Sequence, residues 1–186
     1  MIRIKLRFIL LIFVMLFTLT GCFNKPAVHP KETVKKGNDP SENIEWYVIK
    51  REPQRVLVVN PIPEDLGSSG NREFYDAVWV SNFPDDAQVG QKVKILFKGE
   101  IATSYPGLSG AKKVTVLPSI KPDKAILSEE QVLREAIDSK EAAEIKIFVP
   151  AAIKFDDKSH LWTVRFKDGA LTDTQKEEKG LQIPDK

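Results

Sequence analysis

Cysteine and histidine are nearly missing from this chain of 186 residues, which has one Cys and two His. A single cysteine, Cys22, excludes a disulfide within the chain. Zinc sites of the usual kind draw three or four ligands from Cys and His, so that chemistry has no ligand set here. A Ser-His-Asp arrangement would have to use His160, because His29 lies in a stretch rich in proline and lysine, and no pattern sets a serine beside His160. Neither a glycine-rich phosphate loop nor a dinucleotide glycine fingerprint is present. Carboxylates are plentiful, yet no pair is marked for acid–base work. Asp85-Asp86 and Asp156-Asp157 read as solvated turn formers. A tight calcium cage would need six to eight oxygens. No catalytic residue, metal ligand or cofactor is therefore assigned, and an enzyme is not expected.

Long apolar runs are also scarce. The clearest, Phe8 to Leu19, is about a dozen residues long and is broken only by Thr18. A membrane-spanning helix needs about 20. Arg3, Lys5 and Arg7 precede the run with no acid among them, and Leu19-Thr20-Gly21-Cys22 ends it. A basic start, a short apolar stretch and small residues before a cut describe a secretory signal, here residues 1–21. The tetrapeptide Leu19-Thr20-Gly21-Cys22 resembles the lipobox of bacterial lipoproteins. That resemblance implies a diacylglyceryl group on the Cys22 thiol and cleavage in front of it. Two acyl chains anchor a protein stably where one is marginal. The expected location is the extracytoplasmic face of the bacterial cell membrane, with the membrane as a partner through lipid on Cys22.

Excess charge of either sign is lacking once the signal is gone. Removing Arg3, Lys5 and Arg7 leaves 25 Lys+Arg against 26 Asp+Glu, a net charge near −1 with His neutral. Phosphate binding needs a basic surface, so nucleic acid is not expected as a partner.

What remains divides by composition. Residues 22–43 are polar, hold Pro26, Pro30 and Pro40, show no apolar period, and read as a flexible tether. Residues 171–186 are charged with little apolar content and read as a flexible tail. In residues 44–120, five runs rich in β-branched and aromatic residues read as strands: 46–50, 55–59, 74–80, 92–97 and 113–117. Val93, Ile95 and Phe97 alternate with Lys92, Lys94 and Lys98, which gives a sheet with one face on a core. Five antiparallel strands suit an OB-like barrel, which limits exposed edges by curling. In residues 121–170, Ser128 and Gln131 spell a capping box for a helix carrying Val132, Leu133, Ala136 and Ile137 on one face. A strand at 145–149 and a hairpin over 152–166 follow. The predicted fold class is mainly β: a five-stranded OB-like barrel followed by a small helix-plus-hairpin (α+β) unit. That unit is too small to stand alone and should pack against the barrel.

Phe74-Tyr75-Asp76-Ala77-Val78-Trp79-Val80-Ser81, then Val89-Gly90-Gln91-Lys92-Val93, then Gly99 and Ser104-Tyr105-Pro106-Gly107, resemble the YobA-like group of small secreted or lipid-anchored proteins of bacilli. The resemblance spans about residues 46–117. It implies an OB-like all-β domain of unknown function outside the cytoplasm, and it carries no catalytic residues.

Aromatic residues supply the candidate ligand face. Tyr75, Ala77 and Trp79 share one side of the third strand, and Tyr105-Pro106-Gly107 sits between the fourth and fifth. OB folds bind ligands on strands 2–3 and the neighbouring loops. Tyr75, Trp79 and Tyr105 are thus expected to form one surface, unless Trp79 and Tyr75 serve the core and Tyr105 a turn. The function expected is a lipid-anchored, non-catalytic binding or accessory module for an envelope protein, peptide or glycan. A carboxylate-dependent hydrolase or transferase of wall polymers, and an accessory subunit docking an integral membrane protein, are the alternatives.

Overall fold

Runs of β-branched and aromatic residues form the strands β1 (Glu45–Glu52), β2 (Arg55–Val59), β3 (Ala77–Ser81), β4 (Lys92–Phe97) and β5 (Gly107–Val116). They close into a barrel in the order β1-β2-β3-β5-β4. The computed structural model describes residues 43–67, 73–170 and 177–186. The segments expected to form the signal, the lipobox with Cys22 and the tether, up to residue 42, lie outside the described residues, as do residues 171–176.

The strands were expected to be all antiparallel, and one pairing is not. β5 is longer than its apolar run, starting at Gly107 rather than Lys113. Its first residues run parallel to β3, with Trp79 opposite Leu108. The remainder runs antiparallel to β4, with Ile95 opposite Val114. One long strand thereby serves both neighbours and closes the sheet, leaving no free edge. β3 starts only at Ala77, because Phe74 instead bridges Glu64 through paired backbone hydrogen bonds of 2.7 and 2.9 Å.

The barrel interior is aliphatic: Val48, Val58, Val80, Val93 and Ile95 are fully buried. Phe97 and Val114 pack against it partly, whereas Val116, the last residue of β5, is exposed. β2 is buried on both faces, with Val56 and Val58 inside and Leu57 and Val59 outside but covered. On β1 the register shifts between Val48 and Lys50. Val48 fills the barrel, and its neighbour Ile49, on the opposite face of the strand, joins the outer core.

The outer core belongs to the C-terminal residues. Ser128 caps α1 (Glu129–Ile137): its hydroxyl accepts from the Gln131 backbone, and the Gln131 side chain accepts from the Ser128 backbone. Val132, Leu133 and Ala136 are buried on the helix face that the period predicts. A three-stranded antiparallel sheet follows, of β6 (Phe148–Asp156), β7 (Leu161–Asp168) and β8 (Lys179–Pro184), with β7 in the middle. The expected short strands at 145–149 and 152–155 are one strand, β6, which runs through Pro150 by a register shift between Pro150 and Ala152. Proline is tolerated there because β6 is an edge strand and the shift relieves the ladder. Trp162, Val164 and Phe166 are fully buried, and Phe166 stacks on Phe148 at 4.5 Å.

Residues 171–186 were expected to stay flexible, yet Lys179–Pro184 adds a strand beside β7, with Ile183 buried opposite Trp162. Asp185 then accepts hydrogen bonds from the backbone N–H groups of Ile126 and Leu127 and from the Trp162 indole, at 2.7, 2.8 and 3.1 Å. One apolar cluster runs from Leu57 and Val59 on the barrel through Leu133 on the helix to Phe166 on the sheet. Among the described residues, no helix is long and apolar enough to cross a membrane.

Candidate functional site

Where the outer wall of the barrel meets the end of α1, the two surfaces do not fill the space between them. A cleft of about 620 Å³ remains, within the range of ligand sites. Its floor is apolar and includes Ile49, Leu57, Ile137 and Phe148. Its rim is charged. The barrel side supplies Lys50, Arg51 and Asp85, and the C-terminal side supplies Arg134, Asp138 and Lys146.

The local structure fixes several of these groups. Arg51 lies beyond the bulge of β1 and lays its guanidinium on the loop between β3 and β4. It donates to the Ala87 carbonyl at 2.7 and 3.1 Å and also to the Pro84 carbonyl. Arg134 donates to the Val89 carbonyl at 3.1 Å and pairs with Glu130 at 2.6 Å. Lys50 pairs loosely with Glu52 at 3.9 Å. Among the described residues, Arg51, Lys146, Asp85 and Asp138 have no ion-pair partner.

A close backbone approach sets the spacing of the cleft walls. Gly90 has φ of +92°, and a Cβ built there would run into the Glu130 carbonyl oxygen of α1. Only glycine allows this conformation without strain and this contact without a clash. Lys92 supports the same approach through its pair with Glu129 at 3.1 Å.

Of the aromatic residues singled out from the sequence, Tyr75 is buried, Trp79 is half-buried and Tyr105 is exposed. Tyr75 and Ala77 are buried in the outer core, and Trp79 packs partly against it. The shared side of the strand is as the period indicates, but the C-terminal unit covers it. Tyr105 is brought to Tyr75, in a structural role. Its hydroxyl lies 3.0 Å from the carbonyl oxygens of both Tyr75 and Gly169, and its ring tilts against Phe74 at 5.5 Å. Burial, with the nearby charges of Asp168 and Asp76, pushes the Tyr105 phenol up to about 12. Trp79 instead carries the Arg55 guanidinium over its ring, 4.2 Å from the centroid.

Two further sets of residues bear on chemistry. Burial, then the charge and hydrogen bonding of the neighbouring Glu64 carboxylate, push Asp76 above the ordinary carboxylate range. Neither residue lines the cleft. His160 is exposed in the turn between β6 and β7, with φ of +50°, and Asp156 braces that turn by accepting from Lys158 N and Ser159 Oγ. Among the described residues, no group of three or more His, Cys, Asp or Glu stands together as a metal site.

Sequence reasoning missed the cleft. Arg51, Asp85, Asp138 and Lys146 come from four separate segments, and no local pattern links them. The only local signal was the unbroken apolar run Val56–Val59, which says that β2 is covered on both faces.

No curated protein and no solved structure matches the chain. Residues 45–118, which span the barrel, match the model of a protein family of unknown function, DUF3221.

Proposed function

We propose that this chain is a lipid-anchored extracytoplasmic protein whose folded part is a non-catalytic binding module, with the cleft between barrel and helix as its ligand site. The cleft carries the reading: it joins an apolar floor to fixed polar groups at a junction of two structural units, which is where small-molecule sites tend to lie. The anchor reading rests on Arg3, Lys5 and Arg7, the apolar run after them and Leu19-Thr20-Gly21-Cys22. The motif resemblance to the YobA-like group supports the same setting.

Two experiments test the two halves. Cys22→Ser is expected to abolish lipid labelling and shift the protein out of the membrane fraction; unchanged labelling and fractionation would refute the anchor. N-phenyl-1-naphthylamine, an uncharged apolar fluorophore, is expected to brighten on binding the cleft. Gln88→Trp, at an exposed position on the rim, should block that signal with little change in melting temperature. Brightening that is identical in the two proteins would place the binding elsewhere.

A second reading, a carboxylate-dependent hydrolase or transferase, has one observation in its favour: burial and the neighbouring Glu64 carboxylate push the Asp76 carboxyl up. Such a pairing is how enzymes separate an acid from a base. Glycan hydrolysis lost in Asp76→Asn and present in the unmodified protein would establish it.

A further inference from the structure

The charges on the cleft rim balance in a way that selects among ligands. Arg134 is already neutralised by Glu130, and Lys50 is loosely paired with Glu52. Among the described residues, the rim groups without an ion-pair partner are two cations and two carboxylates, and each wall presents one of each. Arg51 and Asp85 stand on the barrel side, and Lys146 and Asp138 on the C-terminal side. A rim of one sign would attract a simple ion. A rim of both signs over Ile137 and Phe148 matches a molecule with an ammonium, an anionic group and an apolar body.

We propose that the cleft takes a short apolar peptide with both termini free, an inference that rests on the cleft being the ligand site. The peptide carboxylate meets Arg51 and Lys146, and its ammonium meets Asp138 and Asp85. Arg51 is the strongest element, because its guanidinium is held on the Pro84 and Ala87 carbonyls before any ligand arrives. A cation fixed in advance loses little freedom on binding, so more of the attraction appears as affinity. The apolar side chains rest on the floor, out of water.

Calorimetric titration of the purified chain with Ala-Leu-Phe, its N-acetylated form and its C-amidated form tests this. The free peptide should bind, and each blocked form should bind at least about tenfold more weakly, the size of one charge-assisted contact. Lys146→Gln should weaken the free peptide more than the amidated one, and Asp138→Asn should weaken it more than the acetylated one. Arg51→Gln should act as Lys146→Gln does, but it also loosens the 84–87 loop, so the Lys146 variant decides. Equal binding of all three peptides would overturn the zwitterion inference. So would binding of N-phenyl-1-naphthylamine with no peptide bound, and in both cases the cleft reading would stand. If neither the naphthylamine nor any peptide binds, the cleft reading fails as well.

Discussion

The Tyr105 hydroxyl lies 3.0 Å from the Gly169 carbonyl oxygen, and this contact joins the β4–β5 connection of the barrel to the end of β7. The same hydroxyl is 3.0 Å from the Tyr75 carbonyl, so its single proton is shared between two acceptors. Tyr105→Phe is expected to cost about 0.5–1.5 kcal/mol, the net worth of one hydrogen bond. The folded-state pKa is pushed up to about 12 from 10.0, so the neutral phenol favours the fold. This contribution is complete below pH 10 and is lost as pH rises toward 12. Urea denaturation should therefore show the gap between the unmodified protein and Tyr105→Phe closing above pH 10. A gap that stays constant there would mean the hydroxyl is not the tie described.

Gly90→Ala should be among the most damaging single substitutions. Its positive φ costs about 1–2 kcal/mol for any other residue. The added methyl also meets the backbone of α1, an overpacking cost of about 1–3 kcal/mol. A chemical melt should show both terms together. Gly99→Ala shares the positive φ but has open space around it, so it should cost only the first term.

Asp185 should make the fold acid-sensitive. Burial opposes its charge, but the N–H groups of Leu127 and Ile126 and the Trp162 indole outweigh that and hold its carboxyl below the ordinary 3.8. Stability from this group is therefore complete above pH 3.8 and is lost as pH falls through the lower folded-state value. Asp185→Asn should lower the melting temperature at neutral pH and flatten the loss on acidification. An acid limb as steep in the variant as in the unmodified protein would assign the sensitivity to other carboxylates.

A chain ending after residue 120 should fold poorly. Leu57, Val59, Tyr75 and Ala77 on the barrel are buried in the core that α1 and the second sheet complete. Without those elements they form an exposed apolar patch. Aggregation, or strong binding of an apolar dye, is expected; a soluble, cooperatively melting fragment would show that the barrel stands alone.

Sequence alone determined the features whose causes are local. The capping box at Ser128 and Gln131 needs only three residues of spacing, and α1 starts there. Alternation in β4 set its face because a strand has a period of two, and Val93 and Ile95 are buried accordingly. The tertiary structure decided what each face meets. The side shared by Tyr75 and Trp79 was readable, but its covering by the C-terminal unit depends on residues far along the chain. β8 looked too polar to order because its own apolar content is small. It is ordered because β7 offers a ladder, with Ile183 opposite Trp162 and Asp185 bound to that tryptophan's indole. The cleft exists for a similar reason. Its rim charges are unremarkable in sequence and come together only where two packed surfaces leave a gap, which no local period encodes.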